Sequence, residues 1–202
     1  MGIIQLIYKK GDKLECSNCR AVTLLNVTYI VLSGILYNRL TVYAEEILGE
    51  YQCGFRANRS TIDHILTIRQ TQVKAYEYNI HVHNLFLDFK QAFDSVNRDR
   101  MLNDLMILGI PKKLVQILSL TVAGSKAIVR GDNQYTSTFP IISGLRQGDA
   151  LSSILFDLVL EAILKKMNII GHIGTKSIQI LAYADDLAIV GRNKNTLKDT
   201  LV

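Results

Sequence analysis

Residues 178–190 read IQILAYADDLAIV, and this stretch decides the fold class. The apolar segments 178–181 and 187–190 have the length and the β-branched composition of strands. The residues between them place Asp185 and Asp186 at the connection. Adjacent carboxylates repel each other unless a cation or solvent relieves the repulsion. The pattern therefore predicts two strands joined either by a solvated turn or by a cation site.

A further carboxylate follows an apolar segment upstream. Leu85-Phe86-Leu87 leads into Asp88, which predicts a buried strand that delivers this carboxylate to an edge or a cleft. If this strand neighbours the first two in one sheet, three carboxylates converge. Oxygen ligands suit hard divalent cations, and two such ions would activate a hydroxyl nucleophile and stabilise a leaving oxygen. The pattern is consistent with phosphoryl transfer.

The remaining pattern interleaves strands and helices, which predicts an α+β or α/β class. Residues 3–8 form an apolar segment typical of a strand. Ser60 with Asp63 is typical of a helix start, and the buried face of that helix is expected to hold Ile62, Ile65, Leu66 and Val73. Other elements are predicted at these places: a helix from Ser33 to Leu48, helices over 98–108 and 151–167, a short helix from Pro111, and a hairpin of 126–130 with 135–139 around a turn at 131–133.

Composition narrows the class of protein. The chain has 202 residues, of which 49% are hydrophobic and 20% charged, as in a globular protein of one domain or slightly more. A net charge of +5 permits a polyanionic partner without requiring one. The 3 cysteines cannot all pair, which favours a reducing compartment over a secreted disulfide scaffold. We find neither a signal peptide nor a segment fit to span a bilayer, so we expect an intracellular protein, nuclear or cytoplasmic, with no membrane partner.

Three motifs in a fixed order resemble the catalytic motifs of reverse transcriptases. They read FLDFKQAFDSV at 86–96, SGLRQGDALS at 143–152 and AYADD at 182–186. Two upstream segments, NCRAVTLLN at 18–26 and QCGFRANRSTID at 52–63, are similar to segments of non-LTR, LINE-like retrotransposon enzymes. The resemblance runs from about Ile3 to Asn193 and covers nearly the whole chain.

The resemblance implies a right-hand polymerase fold of the α+β class. Residues 1–75 would form the fingers and residues 76–202 part of the palm, with an antiparallel palm sheet packed on helices. The thumb and the flanking domains of a full-length element are expected to be absent. The implied activity is an RNA-directed DNA polymerase, with an RNA template, a DNA primer and a dNTP as partners. The implied cofactors are two Mg²⁺ ions, for which Mn²⁺ can substitute.

The resemblance also implies roles for particular residues. The metal ions would be held by Asp88, Asp185, Asp186 and the backbone carbonyl of Phe89. The dNTP would be contacted by Lys9 and Arg20 at its triphosphate, by Phe93 at its sugar, and by Gln147 and Gly148 along the nucleotide. The template backbone would be contacted by Arg56 and Arg59. The alternatives are a core role for Phe93 and purely structural or surface roles for the four cationic residues.

Two other interpretations stay open. A truncated copy would keep the fold and bind nucleic acid through its basic side without polymerising, and its binding would be sensitive to salt. A decayed remnant would not fold stably alone, because its sheet ends at an unpaired edge. An RNA-templated RNA polymerase is disfavoured by the aromatic Phe93, whose ring would clash with a ribose 2′-OH.

Overall fold

The computed structural model describes residues 2–12, 15, 18–131, 134–167 and 178–199. The strands are β1 (Gly2–Tyr8), β2 (Cys19–Leu24), β3 (His83–Asp88), β4 (Lys126–Arg130), β5 (Phe139–Pro140), β6 (Ile178–Tyr183) and β7 (Asp186–Gly191). The helices are α1 (Val27–Ile47), α2 (Thr61–Glu77), α3 (Arg98–Ile107), α4 (Lys112–Val122), α5 (Ala150–Lys166) and α6 (Lys194–Asp199). Within the described ranges the elements form two compact units, residues 1–46 with 91–156 and residues 47–90 with 157–202.

The first unit contains a sheet with the strand order β2-β1-β4-β5. Strands β1 and β2 are antiparallel, whereas β1 and β4 are parallel and far apart in sequence. Helices surround a core whose largest fully buried side chains are Leu40, Met101, Leu105, Leu118 and Leu151. Burying each of these side chains stabilises the fold by roughly 1.5–3 kcal/mol.

The second unit contains a sheet with the strand order β3-β7-β6, antiparallel throughout. The two strands and the carboxylate connection predicted from residues 178–190 are confirmed as β6, β7 and the turn between them. The prediction that β3 is buried is wrong, because β3 lies at an edge of this sheet and Phe86 is 69% exposed. An apolar segment of this length does not distinguish a central strand from an edge strand.

Helix α2 begins where the sequence predicts, but none of its side chains is fully buried. The Ser60 side chain accepts from the Ile62 N–H, and the Asp63 side chain accepts from the Ser60 N–H, which confirms the predicted start. The predicted buried face is wrong, because all four of its side chains are exposed: Ile62, Ile65, Leu66 and Val73. Apolar spacing indicates one helix face, but burial also needs a neighbouring element to cover it.

Helix α1 starts earlier than predicted. The Asn26 side chain accepts a hydrogen bond from the N–H of Thr28 at 2.8 Å and satisfies the first turn, whereas Ser33 lies inside the helix. Further along the helix the apolar spacing predicts the buried face, since Leu36, Leu40 and Ala44 are buried.

The other predicted helices are confirmed as α3, α4 and α5, with Pro111 directly before α4. The predicted hairpin is shorter than expected, because β5 contains only Phe139 and Pro140, and the turn residues 132–133 lie outside the described residues. Strand β2 and helix α6 are not among the predicted elements. In the part of the chain that the structure describes, no helix is both long and apolar enough to cross a membrane.

Candidate active site

The carboxylates predicted to hold metal lie at one end of the sheet in the second unit. The strand register pairs Asp88 at the end of β3 with Asp186 at the start of β7, and it pairs Asp186 with Tyr183 of β6. Opposite residues on antiparallel strands point to the same face, with Cβ atoms about 4.5–5.5 Å apart. Asp185 lies in the turn between β6 and β7. The structure therefore brings Asp88 beside Asp186, with Asp185 adjacent along the chain.

This arrangement fits a divalent cation that is bound partly by carboxylates and partly by the substrate. Asp88 and Asp186 are exposed and Asp185 is half-buried. Within the described ranges, no group of three or more His, Cys, Asp or Glu side chains is already arranged to hold a metal ion. Mg²⁺ suits the pair nevertheless, because it typically uses one or two carboxylates together with water and substrate phosphates. Phe89 directly follows β3 and is exposed.

A buried glutamine contacts the turn that carries the carboxylates. Gln52 is 1% exposed. Its Oε1 accepts hydrogen bonds from the backbone N–H groups of Ala184 at 3.0 Å and Gly54 at 2.8 Å. Its Nε2 donates to the carbonyl of Ala184 at 3.4 Å. Both backbone polar groups of the residue before Asp185 therefore contact one side chain.

The backbone at Gly54 approaches the same turn closely. A Cβ on Gly54 would lie 2.2 Å from the backbone nitrogen of Ala184 and 2.8 Å from its Cα, so only glycine fits. Ala184 has a φ of 55°, a left-handed conformation that costs a residue with a Cβ roughly 1–2 kcal/mol. The turn between β6 and β7 therefore keeps a strained shape against close neighbours.

In the first unit, the 143–152 motif is joined to two other segments. Two backbone hydrogen bonds of 2.8 Å join it to the end of the 86–96 motif, from the Gly144 N–H to the Val96 carbonyl and from the Leu145 N–H to the Phe93 carbonyl. The N–H of Thr23 in β2 donates to the carbonyl of Gln147 at 2.9 Å. Three segments that carry predicted nucleotide contacts are therefore connected in one unit.

Gly148 and Gln147 have contacts of their own within this unit. Gly148 has a φ of 106°, and a Cβ there would lie 3.2 Å from the carbonyl oxygen of Thr23. Nε2 of Gln147 lies 3.4 Å from each carboxylate oxygen of Asp94. Gly148 is therefore needed for packing against β2, and Asp94 supports the Gln147 side chain.

The two cations predicted to hold the triphosphate lie on one face of the β1–β2 ribbon. The register pairs Ile7 with Arg20, and the N–H of Lys9 donates to the carbonyl of Asn18 at 2.9 Å. Side chains alternate along a strand, so Lys9, two residues after Ile7, lies on the face of Arg20. Both side chains are exposed. The first unit therefore presents two neighbouring cations to solvent.

Phe93 has an aromatic partner in the first unit. Its ring stacks on that of Phe156, with centroids 4.8 Å apart and planes inclined by 20°. Such pairs contribute about 0.5–1.5 kcal/mol beyond the buried area. The half-buried Phe93 therefore has the packing expected of a structural residue, and the same packing fixes the ring orientation.

The two arginines predicted to contact a template have partners in the second unit. Nη1 of Arg56 donates to the carbonyls of Gly49 at 2.8 Å and Gln52 at 3.0 Å. Arg59 forms an ion pair with the exposed Glu50. Arg56 is half-buried, and its contacts support a structural role for it rather than contact with a template. The pair of Arg59 is partly exposed, and such pairs contribute little in water.

A network around Tyr29 fixes the end of the 143–152 motif. The Tyr29 hydroxyl donates to Oδ2 of Asp149 at 2.8 Å, and Oδ1 of Asp149 accepts from the N–H of Leu151 near the start of α5. The Arg146 guanidinium lies 4.7 Å from the centre of the Tyr29 ring and donates to the Ser125 hydroxyl at 2.8 Å. Burial, followed by the charge of Asp149, raises the pKa of Tyr29 to about 12.

Two buried carboxylates of α5 lie in the second unit. Glu161 accepts hydrogen bonds from the Tyr51 hydroxyl and the Gly49 N–H, and burial raises the pKa of Tyr51. These bonds fix the segment directly before Gln52. One turn earlier, Asp157 is 1% exposed, and its Oδ1 has no hydrogen-bond partner among the residues that the structure describes. Burial raises the pKa of Asp157 to about 8, although the charge of Arg56 lowers it.

Sequence reasoning missed Gln52 and Gly54 as residues that contact the carboxylate turn. Gly54 lies in a turn, where glycine is common, so its presence gave no specific signal of a contact with a distant segment. Gln52 also gave none, because its partner Ala184 is distant along the chain.

Comparison with known proteins identifies related sequences. A family model described as "Reverse transcriptase (RNA-dependent DNA polymerase)" matches residues 7–202. The chain is 31% identical, over 97% of its length, to "Retrovirus-related Pol polyprotein from type-1 retrotransposable element R2" of Popillia japonica. It is 24% identical, over 98% of its length, to "RNA-directed DNA polymerase from mobile element jockey" of Drosophila melanogaster. The chain spans 28% and 22% of the length of these two relatives.

Solved structures show a similar fold. A telomerase from Candida tropicalis in complex with a TWJ fragment of telomeric RNA matches 99% of this chain and 37% of its own, with a TM-score of 0.75 and 16% identity. A telomerase from Candida albicans with the same kind of fragment matches 99% of this chain and 38% of its own, with a TM-score of 0.72 and 13% identity. These matches confirm the predicted α+β polymerase fold. The division into fingers at 1–75 and palm at 76–202 stays a prediction.

Proposed function

The chain belongs to the reverse transcriptase family, and we propose on this premise that it copies an RNA template into DNA as part of a LINE-like, non-LTR retrotransposon enzyme. It joins deoxynucleotides from dNTPs to the 3′-OH of a DNA primer. Relatives named as RNA-directed DNA polymerases support this activity. The observation that carries the proposal is the pairing of Asp88 with Asp186, beside Asp185, in a chain of this family.

In this proposal, Asp88 and Asp186 hold divalent cations, with Asp185 and the carbonyl of Phe89 as further ligands. Two Mg²⁺ or Mn²⁺ ions, when bound, lower the pKa of the primer hydroxyl and stabilise the pyrophosphate leaving group. Because Asp88 and Asp186 are exposed, water and substrate phosphates have access to their carboxylate oxygens.

Residues of the first unit bind the dNTP. Lys9 and Arg20 hold the triphosphate, and the planar Arg20 guanidinium suits bidentate contact with phosphate. Gln147 and Gly148 line the nucleotide. The ring of Phe93, fixed by its stacking on Phe156, excludes a ribose 2′-OH and so favours deoxynucleotides.

The proposed macromolecular partners are an RNA template and a DNA primer. Telomerase from Candida tropicalis, which shares the fold, was solved with a fragment of telomeric RNA. Of the two arginines assigned to the template, Arg59 is the stronger candidate, because Arg56 already donates to two backbone carbonyls. We place the activity inside the cell, in the nucleus or the cytoplasm.

The alternative of an inactive nucleic-acid-binding remnant is not favoured. A remnant without catalysis has no need of the carboxylates at positions 88, 185 and 186, and all three are present.

Primer extension tests the proposal. The full chain is incubated with an RNA template, an annealed DNA primer, labelled dNTPs and Mg²⁺, beside the variants Asp186→Asn and Asp99→Asn. Asp99 is an exposed carboxylate of α3 and serves as the matched control. We expect incorporation by the unaltered chain and by Asp99→Asn, and a loss of at least 100-fold in Asp186→Asn, because one metal ligand is removed.

Two results would contradict the proposal. Near-normal extension by Asp186→Asn would exclude the assigned metal role. A folded, RNA-binding chain that incorporates nothing would favour the inactive remnant instead, and its binding would weaken as salt rises.

A further inference from the structure

We propose that Gln52 is a positioning residue for the turn that carries Asp185 and Asp186, and that Gly54 allows the approach on which this contact depends. The inference rests on the proposed function and deepens it, because it assigns a residue that sets the geometry of the proposed metal ligands. Gln52 does not contact a substrate or a cation in this scheme. It acts through the backbone of Ala184.

The backbone of residues 51–53 is held beside β6 without help from the Gln52 side chain. The N–H of Cys53 donates to the carbonyl of Ala182 at 2.9 Å, and the N–H of Ala182 donates to the carbonyl of Tyr51 at 2.8 Å. Gln52 and Ala182 form a parallel bridge. The Gln52 side chain is therefore free to hold the turn beyond the end of β6, rather than the strand itself.

The contacts of Gln52 require a side-chain amide. Oε1 accepts from the Ala184 N–H while Nε2 faces the Ala184 carbonyl at 3.4 Å, so one group serves as acceptor and donor. A carboxylate would supply only acceptors and would place a charge at a position that is 1% exposed. An apolar side chain would leave the N–H groups of Ala184 and Gly54 without this partner.

The turn needs an external contact because its own conformation is unfavourable. Ala184 is 6% exposed and has a φ of 55°. A residue with a Cβ keeps such a conformation only when its surroundings impose it. Gln52 bonds to both polar groups of Ala184, and the Gly54 backbone packs against it. Releasing Ala184 would change the direction in which the next two residues, Asp185 and Asp186, project.

Three variants of the full chain test the inference. Gln52→Met keeps the length of the side chain and removes its hydrogen bonds. Gly54→Ala keeps Gln52 and forces the turn away from the new Cβ. Cys53→Ala is the matched control, because Cys53 is also buried in the same segment and the substitution keeps its backbone hydrogen bond to Ala182.

Two readouts separate positioning from stability. Mn²⁺ binding is followed by electron paramagnetic resonance, and primer extension is titrated with Mg²⁺, both well below the melting temperature of each variant. We expect Gln52→Met and Gly54→Ala to need roughly 10- to 100-fold more metal for half-saturation, as for other residues that orient metal ligands. Cys53→Ala is expected to behave as the unaltered chain does. Unchanged metal dependence in both test variants would overturn the inference.

The Ala184 amide offers a measurement that needs no variant. If Gln52 holds the turn, amide hydrogen exchange at Ala184 is slowed at least 100-fold relative to an unstructured peptide. Exchange at the unstructured rate would also overturn the inference. Failure of the proposed function has a different signature, namely no incorporation by the unaltered chain, and in that case Mn²⁺ binding and amide exchange still test the role of Gln52.

Discussion

At the scale of single residues, two glycines show how one added side-chain atom, the Cβ, changes stability. Gly144 has a φ of 82°, and a Cβ there would lie 2.9 Å from the Cα of Asp94. Gly34 lies inside α1, where a Cβ would meet nothing within 4 Å. The same substitution is therefore expected to have opposite effects at the two positions.

We predict that Gly144→Ala lowers the free energy of unfolding by roughly 2–4 kcal/mol, because left-handed strain adds to a backbone clash. Gly34→Ala is expected to raise it by about 0.5–1 kcal/mol, since alanine favours the helix. Urea denaturation of both variants, read at constant m value, measures the difference. Destabilisation of similar size in both would contradict the assigned cause.

Asp157 gives the protein a pH dependence of known sign. Its pKa is about 8 in the folded protein, against an ordinary value of 3.8. Between pH 4 and pH 8, therefore, the folded protein holds a proton that the unfolded chain has already lost. The unfolded state binds fewer protons there, so this residue makes the fold less stable as pH rises. The free energy of unfolding falls by at most about 1.4 kcal/mol per pH unit for this reason, and the fall ends above the folded pKa.

We therefore predict that Asp157→Asn gains stability relative to the unaltered protein as pH rises from 5 to 7.5, by roughly 1 kcal/mol per pH unit. Urea denaturation at several pH values, without divalent cations, measures the gain. Glu46→Gln, at an exposed position of α1, is the control and should show no such trend. A constant difference between Asp157→Asn and the unaltered protein would exclude the buried carboxyl as the cause.

At the scale of elements, one buried arginine of α3 donates hydrogen bonds to backbone carbonyls at the end of α4, directly after β5 and in the 143–152 motif. Nε of Arg98 donates to the carbonyl of Gly144 at 2.8 Å, and its Nη1 donates to the carbonyls of Val122 at 3.0 Å and Ile141 at 2.9 Å. Arg98 is 8% exposed, and burial lowers its pKa. The three carbonyls depend on this one side chain for these bonds.

We predict that Arg98→Met lowers the free energy of unfolding by roughly 3 kcal/mol or more, since buried carbonyls lose their donors. Arg100→Met changes the same residue type at an exposed position of the same helix, and we expect a change within about 0.5 kcal/mol. Thermal and urea denaturation of the pair provide the measurement. Equal effects would show that helix propensity, and not the buried hydrogen bonds, decides the outcome.

The elements also show how far sequence reasoning reaches. The β6–β7 hairpin and the start of α2 were predictable because their signals are local: apolar segments around Asp185 and Asp186, and the Ser60–Asp63 pair. The exposure of Phe86 and Ile62 was not, because burial depends on which element lies alongside. The contact of Gln52 with Ala184 joins distant segments and leaves no local pattern. The position of the carboxylates at the strand ends was therefore predictable, whereas the uncharged residues that contact their turn were not.

At the scale of the whole molecule, the two compact units are interleaved in sequence. The predicted boundary between residues 75 and 76 separates β1 from its partner β4, and residues 51–54 from their partner β6. We predict that fragments 1–75 and 76–202, produced separately, show no cooperative thermal transition by circular dichroism, whereas the full chain does. A cooperative transition in either fragment would establish the predicted boundary as a true folding boundary.

The parallel pairing of β1 with β4 has a consequence for synthesis on the ribosome. Strand β4 is translated roughly 120 residues after β1. Synthesis proceeds at about 5–20 residues per second, so β4 follows β1 after on the order of 6–24 s. During this time the edge of β1 that later pairs with β4 is uncovered. The nascent chain presents that edge, with the apolar side chains Ile3 and Ile4, throughout this interval. We expect the growing chain to depend on chaperones for those seconds, because an uncovered strand edge is where nascent chains associate wrongly.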